Sequence, residues 1–209
     1  MTTVLVTGFE PFGRWTKNPS GDLAVGLPIM LKHHPFTTHG EVLPVSWTDA
    51  VPKLRAAVFS YQPDILVLLG VASSAEIRIE VMAKNVAAPL PDNAGKYPQN
   101  HGLYRIDGEK PVALFTKLPL ESLIYAPSAA EKTPMRQPPI SSIPSFDAGA
   151  YLCNFVFFHA LSEFPDISSC GFIHVPPYAE ENPTMGADPG ALQEAIAGHI
   201  VTIVEAFES

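Results

Sequence analysis

With 209 residues, 46% of them hydrophobic and only 16% charged, the chain is long enough to bury a large core and reads as one globular domain over residues 1–209. A formal net charge of -8 excludes the broad basic face that nucleic acid requires, and no stretch reaches the ~18 apolar residues needed to span a bilayer, so neither nucleic acid nor membrane is an expected partner. Two cysteines exclude a disulfide framework and point to a reducing, cytoplasmic setting, while the seven histidines lack metal-site spacing.

The first predicted element is a buried strand, TVLVTG (residues 3–8). It runs into Phe9-Glu10-Pro11-Phe12, where a dinucleotide site would need glycines to admit a pyrophosphate. Bulk and a carboxylate at that place argue against a nicotinamide nucleotide. Two phenylalanines three apart at a strand's carboxyl end can instead grip a small flat ring, although core packing is the commoner fate of Phe. Asn18-Pro19-Ser20 then caps a helix over GDLAVGLPIML, which Pro28 is expected to kink or end.

A second strand is expected at 41–47, followed by a helix over 48–63 with Pro52 tolerated in its first turn, and a third strand at 64–70. Residues 76–88 differ, because apolar positions alternate with Arg78, Glu80 and Lys84. That pattern predicts a strand with one exposed face or a ribbon off the main sheet, and a surface ion pair between Arg78 and Glu80 would account for both. A further strand is expected at 111–118, then a long irregular connector over 126–146, which holds five prolines.

Residues 151–164 are apolar almost all round, as a buried helix would be, and place Cys153 near its start after the small turn Ala148-Gly149-Ala150. A helix N-terminus favours negative charge, so that position suits a thiolate nucleophile. The strand 170–176 carries His174 as its last polar residue before Pro176-Pro177, at the edge of the sheet where a base and acid would be useful; Cys170 reads as a small core residue. An amphipathic helix over 189–208 closes the chain. Strands alternating with helices indicate an α/β fold, a three-layer α/β/α sandwich around a mostly parallel twisted sheet.

Four segments together resemble the pyroglutamyl peptidase I family, also called pyrrolidone carboxyl peptidases. VLVTGFEPFGRWTKNPS is similar to that family's G-F-x-P-F-G-G loop followed by N-P-S, with Arg14 standing at the second glycine. IRIEVMAKN, SFDAGAYLCN and GFIHVP resemble its glutamate, nucleophile and histidine segments in the same order, with LPV (43–45) and PDN (91–93) as further matches. The resemblance implies Cys153 as nucleophile, His174 as general base and acid, and Glu80 as the carboxylate orienting the imidazole. It implies Phe9, Phe12, Val71 and Asn18 as substrate-binding residues around a pyroglutamyl lactam, no cofactor and no metal. An N-terminally blocked peptide or small amide is then the substrate, and a homo-oligomer, such as a tetramer, the assembly.

Three features depart from the family's pattern. Val71 stands where the family has a glutamine in its substrate pocket, and a valine offers no amide. Ala87-Ala88-Pro89-Leu90-Pro91 lacks the arginine that the family carries near the oxyanion. The 126–146 connector replaces a helix-like segment ahead of the nucleophile. These departures keep open a member acting on another N-acyl or lactam-like amide, or a catalytically weakened binding protein.

Overall fold

The computed structural model describes residues 1–13, 15–99, 105–125 and 140–209. The expectations for Arg14 and for most of the connector lie outside the described residues. Among these described residues, six strands form the central sheet: β1 (Thr3–Phe9), β2 (Thr37–Leu43), β3 (Ile65–Val71), β4 (Ile77–Glu80), β7 (Ser142–Ser145) and β8 (Ser169–Val175). Their order is β2-β1-β3-β8-β4-β7, parallel throughout except that β4 runs antiparallel to β8. A separate two-stranded ribbon pairs β5 (Met82–Lys84) with β6 (Ala113–Phe115).

Period-two alternation along the strands divides the apolar side chains between two cores. Val4, Val6, Ile65, Val67, Leu69, Ile173 and Val175 face helices α1 (Pro19–Met30), α3 (Leu120–Tyr125) and α5 (Pro189–Glu208). Leu5, Phe9, Leu66, Leu68, Cys170 and Phe172 face helices α2 (Ala50–Tyr61) and α4 (Leu152–Glu163). Each fully buried leucine contributes about 2 kcal/mol of transfer free energy, so both faces must be covered for the sheet to be stable. The result is the expected α/β/α sandwich.

Local chemistry explains the helix ends. Asn18 caps α1 by accepting the Ser20 N–H, with Pro19 in the first turn. Pro28 neither ends nor breaks this helix. It sits in the last turn, where only the bond to the Ala24 carbonyl is lost, and Leu31 N–H still reaches Leu27 O at 2.9 Å. The Ala24 carbonyl packs over Gly40 of β2, where a Cβ would come within 1.8 Å of its oxygen, so only glycine permits this approach.

Several boundaries differ from those expected. The second strand lies at Thr37–Leu43 and not at 41–47, because an edge strand with half-buried residues shows no continuous apolar run. The stretch expected as a buried strand at 111–118 supplies only β6 of the ribbon, with Val112 and Phe115 exposed. Residues 76–88 divide: β5 joins the ribbon as expected, but β4 enters the main sheet between β8 and β7 and has no exposed face, with Ile77, Ile79 and Glu80 buried and Arg78 half-buried. Within the connector, Ser142–Ser145 is a strand, its Pro144 tolerated because β7 is an edge strand. The short helix α3 was not anticipated.

β1 lies between β2 and β3, and the connecting helices α1 and α2 cover opposite faces. Such a reversal of strand order opens a crevice beyond the carboxyl ends of β1 and β3. Phe9 and Val71 are the last residues of those two strands.

Candidate active site

Strand register brings the distant chemistry together. In the β3–β8 pair Gly70 lies beside His174, and in the antiparallel β4–β8 pair Arg78 lies opposite His174 and Glu80 opposite Phe172. Glu80 is therefore the diagonal neighbour of His174 on one sheet face. His174 Nδ1 donates to Glu80 Oε1 at 2.7 Å, and the carboxylate is fully buried, with no partner for Oε2 among the described residues. The pairing with Arg78 is looser, at 3.9 Å, so a surface ion pair does not account for this glutamate.

Cys153 is the second residue of α4, whose N-terminus has no side-chain cap. The helix start is anchored by Asn154, which is fully buried. Its Oδ1 accepts Lys84 N–H at 2.8 Å, and its Nδ2 donates to the carbonyls of Lys84 and Val86 at 2.8 and 2.9 Å. Asn154 thus locks the first turn of α4 to the ribbon. Gly70 supplies the room: a Cβ there would lie 2.9 Å from Cys153 Sγ and 2.7 Å from the Phe172 ring.

Burial works against an imidazolium at His174, but the nearby Cys153 sulfur, the hydrogen bond to Glu80 and the attraction of both groups outweigh it, and its pKa is pushed up to about 9. With Nδ1 committed to Glu80, Nε2 is the nitrogen left for the sulfur. Cys170, by contrast, is fully buried in the core, and burial pushes its thiol up to about 12. Among the described residues no group of three His, Cys, Asp or Glu side chains is placed to hold a metal ion.

Beside Cys153 opens a small pocket lined by Phe9, Phe12, Asn18, Val45, Val71, Tyr151 and Leu152 together with the cysteine. All four residues expected to bind substrate therefore border one space with the sulfur. Their availability differs. Phe9 is also buried in the core, with little of its ring left facing this space. The Asn18 side chain is spent within the protein, accepting from the Ser20 N–H and hydroxyl and donating to the Glu10 carbonyl.

Val45 and Tyr151 are pocket residues that the sequence reading did not single out. Tyr151 stands edge-on to Trp47 at 5.3 Å, faces Phe12 at 6.4 Å, and donates its hydroxyl to the Pro91 carbonyl at 2.9 Å. The PDN segment holds the phenylalanine loop in place. Asn93 donates to Glu10 Oε1 and to the Pro11 carbonyl, and Glu10 Oε1 also accepts the Val45 N–H. The carboxylate of Glu10 is thereby a loop clamp. Val45 belongs to the LPV match and Tyr151 to SFDAGAYLCN, but a short match does not say which of its groups faces the cavity.

Comparison with known proteins gives a consistent result. The family model described as pyroglutamyl peptidase matches residues 2–209. The pyrrolidone-carboxylate peptidase of Yersinia pestis is 32% identical over 186 residues, covering 87% of this chain and 81% of that protein. Among solved structures, pyroglutamyl peptidase I of Bacillus amyloliquefaciens superposes with a TM-score of 0.84 at 28% identity, covering 98% of each chain. The pyrrolidone carboxyl peptidase of Thermococcus litoralis does so with a TM-score of 0.86 at 28% identity, covering 100% of this chain and 96% of that one.

Proposed function

The chain belongs to the pyroglutamyl peptidase family, and on that premise we propose that it is a cysteine peptidase releasing N-terminal pyroglutamate through a thioester on Cys153. The observation that carries this reading is the line Glu80–His174–Cys153 ending at a pocket bordered by Phe9 and Phe12. Glu80 fixes the imidazole so that Nε2 faces the sulfur, and an imidazolium there favours the nucleophilic thiolate.

Sγ attacks the pyroglutamyl carbonyl carbon, and the oxygen takes up the negative charge. The uncapped first turn of α4 aims backbone N–H groups and the positive end of its dipole toward that charge, a supply of donors that does not depend on an arginine. As the C–N bond breaks, His174 Nε2 gives its proton to the departing amine, leaving the thioester. Water then attacks the thioester carbonyl while His174 takes one of its protons, and pyroglutamate leaves as Sγ is expelled. Phe9, Phe12 and Tyr151 would hold the five-membered ring. With Val71 apolar and the Asn18 amide engaged, hydrogen bonds to the lactam would come from the main chain.

Action on another N-acyl amide is the weaker reading, since the relatives above are named for pyroglutamyl or pyrrolidone carboxyl substrates. A binding protein without catalysis has no use for a fully buried carboxylate aligned on an imidazole beside a thiol. Among the described residues no helix is long and apolar enough to cross a membrane. A cytoplasmic location fits two free thiols, and a homo-oligomer fits the exposed Val25, Ile29 and Met30 on α1. The test is chromophore release from a pyroglutamyl amide. Turnover is expected to stop on treatment with iodoacetamide and to fall at least ~1,000-fold in Cys153→Ala. Undiminished turnover in that variant would end the reading.

A further inference from the structure

Arg78 shares a sheet face with Glu80 and is the cross-strand partner of His174. Its guanidinium is tethered: Nε and Nη2 donate to Ser145 Oγ at 3.2 and 2.7 Å, and Nη2 reaches the Asp147 carbonyl at 3.5 Å. From that position Nε lies 3.9 Å from Glu80 Oε1, the same oxygen that receives the imidazole Nδ1–H. Glu80 is fully buried, and among the described residues its second oxygen has no partner and the first has one hydrogen bond, from His174. A buried carboxylate in that condition carries a large desolvation cost unless a counter-charge stands near it.

We propose that Arg78 is a positioning residue for the reaction, a tethered counter-charge that draws on Glu80 Oε1 and so limits how tightly Glu80 holds the His174 ring as an imidazolium. Charged or titratable groups that face the Glu80–His174 pair are Arg78 from β4, at Glu80, and Cys153 from α4, at His174. Lys84 and Asp147 lie one contact further out and pair with each other at 2.6 Å. Asp147 also accepts the Gly149 N–H at 2.8 Å, so the tether of Arg78 belongs to the turn that leads into α4 and Cys153.

The consequence follows from charge alone. A ring held too firmly as imidazolium is a poor acid toward the departing amine, and a cation sharing its acceptor weakens that hold. Removing Arg78 therefore strengthens the grip of Glu80 on the protonated ring, whereas removing the charge of Glu80 loosens it. The two changes move the titration of His174 in opposite directions. A lysine reaches the same oxygen with the same charge, although without the two-point anchor on Ser145.

This inference rests on the catalytic roles proposed above, and the experiment separates the two. We expect Arg78→Met to lower kcat about 10-fold with little change in KM and to raise the alkaline limb of activity by about one pH unit. Arg78→Lys restores most of both. In a Glu80→Gln background, Arg78→Met produces no further shift. The pH dependence of Cys153 alkylation by iodoacetamide, measured in parallel, follows the same pair without any peptide substrate, so an inactive wild type would sink the peptidase reading and leave this one testable. A downward or absent shift in Arg78→Met, an equal shift with and without the Glu80 charge, or failure of the lysine to restore it would each overturn the proposal.

Discussion

Two histidines of this molecule occupy opposite faces of the sheet and are driven in opposite directions. His174 lies on the α4 side between Cys153 and Glu80, and its pKa is pushed up to about 9. His199, on α5, has Ser142 Oγ at 2.8 Å as its ring partner, and burial pushes it down to about 4. Burial opposes the charged ring in both places. What separates them is the company of charge: a hydroxyl has none to offset desolvation, while the Glu80 carboxylate and the Cys153 sulfur reverse it. Reactivity on one face and inertness on the other follow from that difference.

The contrast can be broken most severely at Glu80. Glu80→Gln keeps the shape and removes the charge, and we expect kcat/KM to fall about 1,000-fold. The alkaline limb of activity should move down from near 9 toward the ordinary histidine value of 6.5, as read from the pH–rate profile. The same change alters stability in a definite sense. A raised pKa in the fold stabilises it fully below about 6.5, and that contribution is lost as pH rises through about 9. Urea unfolding between these limits should show the wild type losing stability and Glu80→Gln losing less.

A smaller effect comes from crowding the sulfur while leaving the ring and its carboxylate alone. Gly70→Ala would place a methyl 2.9 Å from Sγ and 2.7 Å from the Phe172 ring. Phe172 is locked in the core, so the cysteine must yield. Activity should drop about 100-fold by misplacement of the nucleophile, and stability should fall by about 1–3 kcal/mol, measurable in one denaturation curve. If activity survives, the sulfur does not need the place it occupies.

The smallest effect belongs to the other face and sharpens the comparison from its far side. His199 stays neutral in the fold down to about 4, whereas the unfolded chain takes up a proton near 6.5, so stability is present above 6.5 and lost as pH falls through about 4. His199→Leu should remove about 1 kcal/mol of that acid sensitivity, discounted for the partial exposure of the ring. Turnover at neutral pH should stay within about two-fold of the wild type. Thermal unfolding at pH 7 and pH 5 checks the first outcome, and a change in activity would show that the faces are coupled.

The parts of the fold that could be read in the chain are those where one local rule dominates. β3 and β8 are continuous apolar runs, and α5 is framed by its Asp188 cap, Pro189 and a long amphipathic period. The elements missed or misplaced lie where rules conflict or burial is partial: β7 contains a proline, β2 is a half-buried edge, and α3 is a helix of only six residues. The site divides in the same way. Cys153 announces itself by its place at the start of a helix and His174 by its place at a strand end. Glu80 does not, because its value depends on an antiparallel pairing with a strand 94 residues away, and no window on the chain contains both partners. Family motifs supplied that link where periodicity had none. Asn154 lies within the SFDAGAYLCN motif, but its job of fastening the nucleophile's turn to the ribbon appears only in three dimensions.

Cys170 lies sealed within the sheet, with a thiol pushed up to about 12, while Cys153 borders an open pocket. With only two cysteines in the chain, a folded sample therefore presents a single labelling position. The stoichiometry of a mild electrophile would count competent molecules in any preparation, and a second equivalent would register the moment the sheet comes apart.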